Sequence, residues 1–158
     1  PGGGWTTIAY LGALPGFLGL AWFNTWLVGL FRAMPEVSEQ AVMAGIQTLN
    51  GWELAAALLV GVLAQPVVEE ALFRGYLWRY LAGRADFGPA RALLFSTFAF
   101  VIVHDPSVWL PITWLGLFFG WVCWRTGSVG QAMYAHVLHN GSAVVVGLVL
   151  GWMGYSPG

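Results

Sequence analysis

Five stretches of this chain are apolar over lengths that reach or approach a membrane crossing, and nothing else in it limits the fold as strongly. A helix that spans the hydrocarbon layer needs about 20 predominantly apolar residues. Trp5 to Phe31 satisfies this and is closed off by Arg32 and Pro35. Trp52 to about Tyr80 forms the second stretch, with a kink expected at Pro66, which has no N–H to give to a helix. Ala90 to His104 is shorter and is broken by Asp105-Pro106-Ser107. Trp109 to Trp124 is the fourth, and Val129 to Trp152 the fifth, entered through a Thr126-Gly127-Ser128 turn. Pro35 to Asn50 is mixed in character and reads as an interfacial or loop segment; Ala82 to Pro89 reads as a loop. The expected fold is therefore all-α, a polytopic transmembrane helix bundle with about five apolar spans. It forms one membrane domain over residues 1–158, with a core of about 52–153 and an extra N-terminal span at 5–31.

Composition supports the same conclusion. Charged residues make up 8% of the chain against roughly 25% in ordinary soluble domains, too few to keep a surface of this size in water. That excludes a disordered chain, a soluble enzyme and a nucleic-acid binder with a basic patch. Cys123 is the single cysteine, so it forms no internal disulfide, and between Val122 and Trp124 it reads as a small hydrophobe, buried or lipid-facing. The start, Pro1-Gly2-Gly3-Gly4, has no basic region and is expected to belong to a trimmed domain rather than a signal peptide. If each stretch crosses once, Arg79, Arg84, Arg91 and Arg125 fall on one side and only Arg32 on the other. Arginine asymmetry then puts the N-terminus and the loop after the second span in the cytoplasm.

The informative residues are the charges inside the apolar stretches. Glu69 and Glu70 lie close to the middle of the second one, where a carboxylate costs on the order of 3 kcal/mol or more unless compensated. Glu70 and Arg74 are spaced i,i+4 with the acid first, the favourable order for an ion pair. Glu69 is turned about 100° away and lacks that partner. Two readings follow: a salt bridge that locks helices together, or one carboxylate neutralised by Arg74 while the other is kept for proton transfer. His104 ends the third stretch, and His136 and His139 lie in the fifth. Asn140 follows His136 at i+4 on the same face, so the two can aim donors at one point, as an oxyanion would require. The plainer alternative is helix-to-helix hydrogen bonding. His139 is a neighbour or a spare. Most of the ten Trp read as interfacial anchors, and Gly116-x-x-x-Gly120 as a close-packing pair, within the chain or between copies.

These residues carry a resemblance. Glu69-Glu70-Ala71-Leu72-Phe73-Arg74 resembles the Glu-Glu-x-x-x-Arg signature of the CPBP family of CAAX- and bacteriocin-processing proteins, also called the ABI family. Phe100-Val101-Ile102-Val103-His104 is similar to its Phe-x-x-x-His motif, with Ser96 upstream, and His136-Val137-Leu138-His139-Asn140 to its His-x-x-x-Asn motif, approached by Gly127-Ser128-Val129. The likeness covers roughly Leu58 to Val146 and leaves out the first span. It implies an intramembrane endopeptidase with a cavity open to the cytosol, acting on membrane-associated or lipidated peptide or protein substrates reached from the bilayer. Carried over by position, Glu69 is the general base, His104 its partner, His136 and Asn140 the oxyanion donors, and Glu70 and Arg74 the supports. The resemblance leaves open a zinc ion, Zn2+, held by Glu69, His104 and His136, against a glutamate mechanism without metal. Asp105 departs from the family pattern. It either orients His104, which would hold the imidazole charged and make it a poorer base, or caps the loop before Pro106.

Two other functions fit the same residues: a catalytically silent immunity or scaffold protein of this fold, and a proton-coupled transporter. The absence of evident inverted repeats speaks against the second. The lack of Lys, with many Trp, Gly and Ala, points to a GC-rich bacterial genome and so to a bacterial cytoplasmic membrane.

Overall fold

The computed structural model describes residues 2–31 and 49–153. Five helices run through it: α1 (Gly3–Phe31), α2 (Gly51–Ala82), α3 (Gly88–Ile102), α4 (Trp109–Thr126) and α5 (Val129–Trp152), with a short 3-10 turn at Pro106–Val108. No strand occurs among the described residues. Four of the helices are long and apolar enough to cross a membrane, α4 together with its 3-10 turn; α3, at 15 residues, is the shorter apolar one. The bundle is all-α and polytopic, as the apolar pattern predicts. Most of the expected segment Pro35–Asn50, together with Arg32, lies outside the described residues.

Local chemistry sets the helix ends. Asn50 and Glu53 form a reciprocal capping box at the start of α2: Asn50 Oδ1 accepts from the Glu53 N–H at 3.2 Å, and Glu53 Oε2 from the Asn50 N–H at 3.0 Å. Gly127 closes α4 in the left-handed conformation, at φ 69°, which a residue with a Cβ adopts only with strain. The Ser128 side chain then caps α5 by accepting from the Gln131 N–H.

The helices alternate in direction. Near the N-terminal end of α1, Thr6 donates to Gln131 and Thr7 pairs with the Tyr134 hydroxyl at 2.9 Å, both near the start of α5. Farther along α1, Asn24 donates to the Ser107 carbonyl, in the loop before α4. Arg79 donates to the Gly127 carbonyl at 3.2 Å, so the α2–α3 and α4–α5 loops share one end of the bundle. Arg84, Arg91 and Arg125 lie at that end as well, and Arg84 pairs with Asp86 at 3.3 Å. These four arginines thus share one end of the bundle, as expected from the sequence.

α4 is the central helix. Its Leu115, Phe118, Phe119, Val122 and Cys123 are buried against Tyr10 of α1, Trp78 of α2, Ala92 of α3, and Ala132 and Ala135 of α5. Between helices in lipid there is little hydrophobic driving force, so close fit and polar clasps hold them together. Gly16 allows one such fit: a Cβ there would stand 2.6 Å from the Trp114 ring. Outward side chains such as Leu59, Val60, Val68 and Leu72 on α2 are exposed and apolar, as a lipid-facing surface requires.

Candidate active site

α2 is continuous but not uniformly α-helical. Two π-helical stretches, Leu59–Ala64 and Ala71–Trp78, flank a short α-helical piece, Gln65–Glu70, that ends with the paired glutamates. The irregularity expected at Pro66 is thus a π-helical stretch before it, and the helix does not break. Wider winding of this kind is rare and is found most often at functional sites. It adds residues per turn and so changes which face of the helix each glutamate occupies.

Glu70 is fully buried and held from two directions. Its Oε1 accepts from Arg74 Nη1 at 2.9 Å, the pair predicted from i,i+4 spacing, and lies 2.9 Å from His136 Nδ1 on α5. Arg74, also fully buried, donates through Nη2 to the Gly116 carbonyl on α4 at 2.7 Å. Its guanidinium carbon sits 4.6 Å from the centre of the Phe100 ring. One cation therefore ties α2 to α4 and, through Glu70, to α5.

Glu69 is the more accessible acid, with 18% of its side chain exposed against none for Glu70. Gln65, one turn earlier, donates to its Oε1 at 2.8 Å. Its Oε2 has no hydrogen-bond partner and faces His136 Nε2 at 3.8 Å, beyond direct bonding. The two glutamates thus address opposite nitrogens of one imidazole. Phe119 stacks on that ring, 4.5 Å between centres and 19° between planes, and holds it in place.

The other predicted residues are placed less directly. His104 pairs through Nδ1 with the Phe100 carbonyl at 2.7 Å and makes no hydrogen bond or ion pair to either glutamate among the described residues. It neighbours the site through Phe100, whose ring lies 4.6 Å from the His104 ring and 6.0 Å from that of His136. Asp105 takes the capping role. Its Oδ1 accepts from the Ser107 hydroxyl at 2.6 Å and the Ser107 N–H at 2.8 Å, and these bonds hold its carboxyl below the usual aspartate range. Asn140 donates one Nδ2 hydrogen to the Gly61 carbonyl on α2 at 2.9 Å, leaving the second amide hydrogen free of that bond. His139 turns toward α1, with Tyr10 OH 3.3 Å from its Nδ1 and the Phe17 ring edge-on at 4.8 Å.

Among the described residues no group of three or more His, Cys, Asp or Glu side chains is arranged to hold a metal ion. Glu69, His104 and His136 therefore do not assemble the three-ligand zinc set in this structure. Sequence reasoning passed over Gln65, Phe100 as a platform, Phe119 and the Gly116 carbonyl. Gln65 carried a signal, a polar residue four positions before Glu69 in an apolar run; Phe100 opens the Phe-x-x-x-His motif and Gly116 the glycine pair, while Phe119 had none. The Gly116-x-x-x-Gly120 pair acts inside the chain. A Cβ on Gly116 would come 2.9 Å from Thr97 Cγ2, and one on Gly120 would press on Leu93, so the glycines let α3 pack closely on α4.

Comparison with known proteins agrees with the motif reading. Residues 51–142, more than half of the chain, match the family described as "Type II CAAX prenyl endopeptidase Rce1-like". The match takes in α2, α3, α4 and the first half of α5, and leaves out α1. No curated protein and no solved structure matches the chain significantly.

Proposed function

Given that this chain belongs to the type II CAAX prenyl endopeptidase Rce1-like family, a family of membrane proteases, we propose that it hydrolyses peptide bonds with a water activated by Glu69. The observation that carries this reading is the unbonded Glu69 Oε2 facing His136 Nε2 across 3.8 Å, while His136 Nδ1 is engaged by Glu70 and the other unpartnered atoms of the network, Glu70 Oε2 and Arg74 Nε, belong to fully buried side chains. A general base must lie within hydrogen-bond reach of the water it deprotonates, and Glu69 is the acid whose unpartnered oxygen, itself buried, belongs to a partly exposed side chain.

In the proposed reaction, water oxygen attacks the scissile carbonyl carbon and its proton passes to Glu69. The tetrahedral oxyanion is met by His136 through Nε2–H and by the second amide hydrogen of Asn140. Glu70 is the counter-charge for the imidazolium that such donation needs, and Arg74 keeps Glu70 in position. As the C–N bond breaks, Glu69 or His104 delivers a proton to the departing amine. No step runs through a metal. Each donor at a developing oxyanion in a dry site contributes roughly 3–4 kcal/mol. The substrates fitting this surrounding are peptides or proteins held at the membrane, lipidated ones included, and the proposed setting is a bacterial cytoplasmic membrane.

Glu69→Gln keeps the size and the bond to Gln65 but removes the base. Cleavage of membrane-associated peptides should fall by at least about a hundredfold, the lower end of what a positioned base supplies, with unchanged insertion and purification behaviour. Full activity in Glu69→Gln would overturn the assignment. Wild-type protein that binds such peptides and never cleaves them would favour the scaffold reading.

A further inference from the structure

The π-helical stretch of α2 ends in a way that leaves one backbone carbonyl without an amide. Its last long-range bond runs from the Gln65 N–H to the Val60 carbonyl, five residues back. The next bond of that series would reach the Gly61 carbonyl from residue 66, and residue 66 is Pro, which has no N–H. In a bilayer such a carbonyl has no water to turn to and must be satisfied by the protein. Asn140 of α5 supplies the missing donor, at 2.9 Å.

We infer that Asn140 is a positioning residue: its amide stands in for the N–H that Pro66 lacks, and so holds the point where α2 returns to α-helical winding. The consequence for the site is geometric. Gln65 and Glu69 belong to the α-helical piece that begins at that point, Gln65 Nε2 bonds Glu69 Oε1 at 2.8 Å, and Glu69 Oε2 faces His136. Moving the return by one residue would rotate Glu69 by about 100° about the helix axis, away from the imidazole. His136 and Asn140 sit one turn apart on α5, so the same helix face that presents the imidazole to Glu69 also sets the glutamate's orientation. This role rests on the proposed use of Glu69 as the base and adds to it a second contact between α5 and α2.

The test is a cycle of Asn140→Ala, Pro66→Ala and the double variant in the full chain in lipid bicelles. Pro66→Ala restores a backbone N–H that can reach the Gly61 carbonyl. Amide hydrogen exchange over residues 59–66 reads the clasp without reference to activity. Asn140→Ala should exchange there roughly tenfold faster, the factor expected when a buried carbonyl loses its partner. The double variant should return to within about twofold of Pro66→Ala alone. In peptide cleavage, Asn140→Ala should lower kcat with little change in KM, and adding Pro66→Ala should restore only the part due to positioning, the loss of the oxyanion donor remaining. Exchange that is unaffected by Asn140→Ala, or an Asn140→Ala effect on exchange equally large in the Pro66→Ala background, overturns the clasp. Failure of the peptidase reading would appear separately, as a wild type without cleavage or a fully active Glu69→Gln.

Discussion

Replacing Arg74 puts the central network to its sharpest test. The guanidinium donates to Glu70 at 2.9 Å and to the Gly116 carbonyl at 2.7 Å, with Phe100 beneath it, and is fully buried. Arg74→Met removes the charge but fills much of the volume. It leaves Glu70 buried beside His136 alone, at a cost of about 3–5 kcal/mol for a broken buried pair. The stranded Gly116 carbonyl adds roughly 1–3 kcal/mol. Arg74→Lys keeps the charge, but one ammonium group does not reproduce the planar fork, so the loss of one charged hydrogen bond, about 1.5–3 kcal/mol, is expected. The decisive variant is Glu70→Gln with Arg74→Met. Its neutral amide oxygen still faces His136 Nδ1, and no charge is left without a partner. The double variant should therefore be less destabilised than the sum of the singles by about 2 kcal/mol or more. Reversible unfolding by denaturing detergent in bicelles measures all four members of the cycle. Additivity within about 0.5 kcal/mol, or an Arg74→Met variant as stable as the parent, would refute the claim that one cation ties three helices together.

Two further outcomes follow from packing and capping. Gly116→Ala pushes a Cβ against the buried Thr97 and Phe100, so it should destabilise by about 1–3 kcal/mol in the same unfolding assay and lower activity by shifting Phe100, which lies between Arg74 and His104. Asp105→Ala should lower thermal stability at neutral pH, because the Ser107 bonds hold the folded carboxyl below its unfolded value. That contribution is complete above the unfolded pKa and vanishes as pH falls through the folded one, so the two melting curves should converge below about pH 4. A constant difference down to pH 2 would assign the effect to something other than ionised Asp105.

Much of the molecule is written in local patterns. Apolar runs of membrane length, the Gly127 turn and the i,i+4 spacing of Glu70 and Arg74 each depend on residues within a turn or a span of one another. Composition and short-range geometry are enough to read them. The motif likeness drew its strength from three such patterns occurring in order, and it identified the family without any knowledge of how the helices meet.

The tertiary structure decided the rest, because contacts between helices depend on each helix's rotation and axial shift, and neighbours along the chain do not encode these. Nothing beside Glu69 in the sequence says that it and Glu70 face opposite nitrogens of His136, sixty-odd residues away. The use of Gly116 as a carbonyl partner for Arg74, and the turn of His139 toward α1, depend on how α4 and α1 pack. Asn140 shows the division most clearly. Its i+4 spacing from His136 suggested a shared target, yet the π-helical winding of α2 offered its amide a nearer one, the carbonyl that Pro66 leaves without a donor. A local pattern determines which groups are available; the winding and packing of distant segments determine what each group meets.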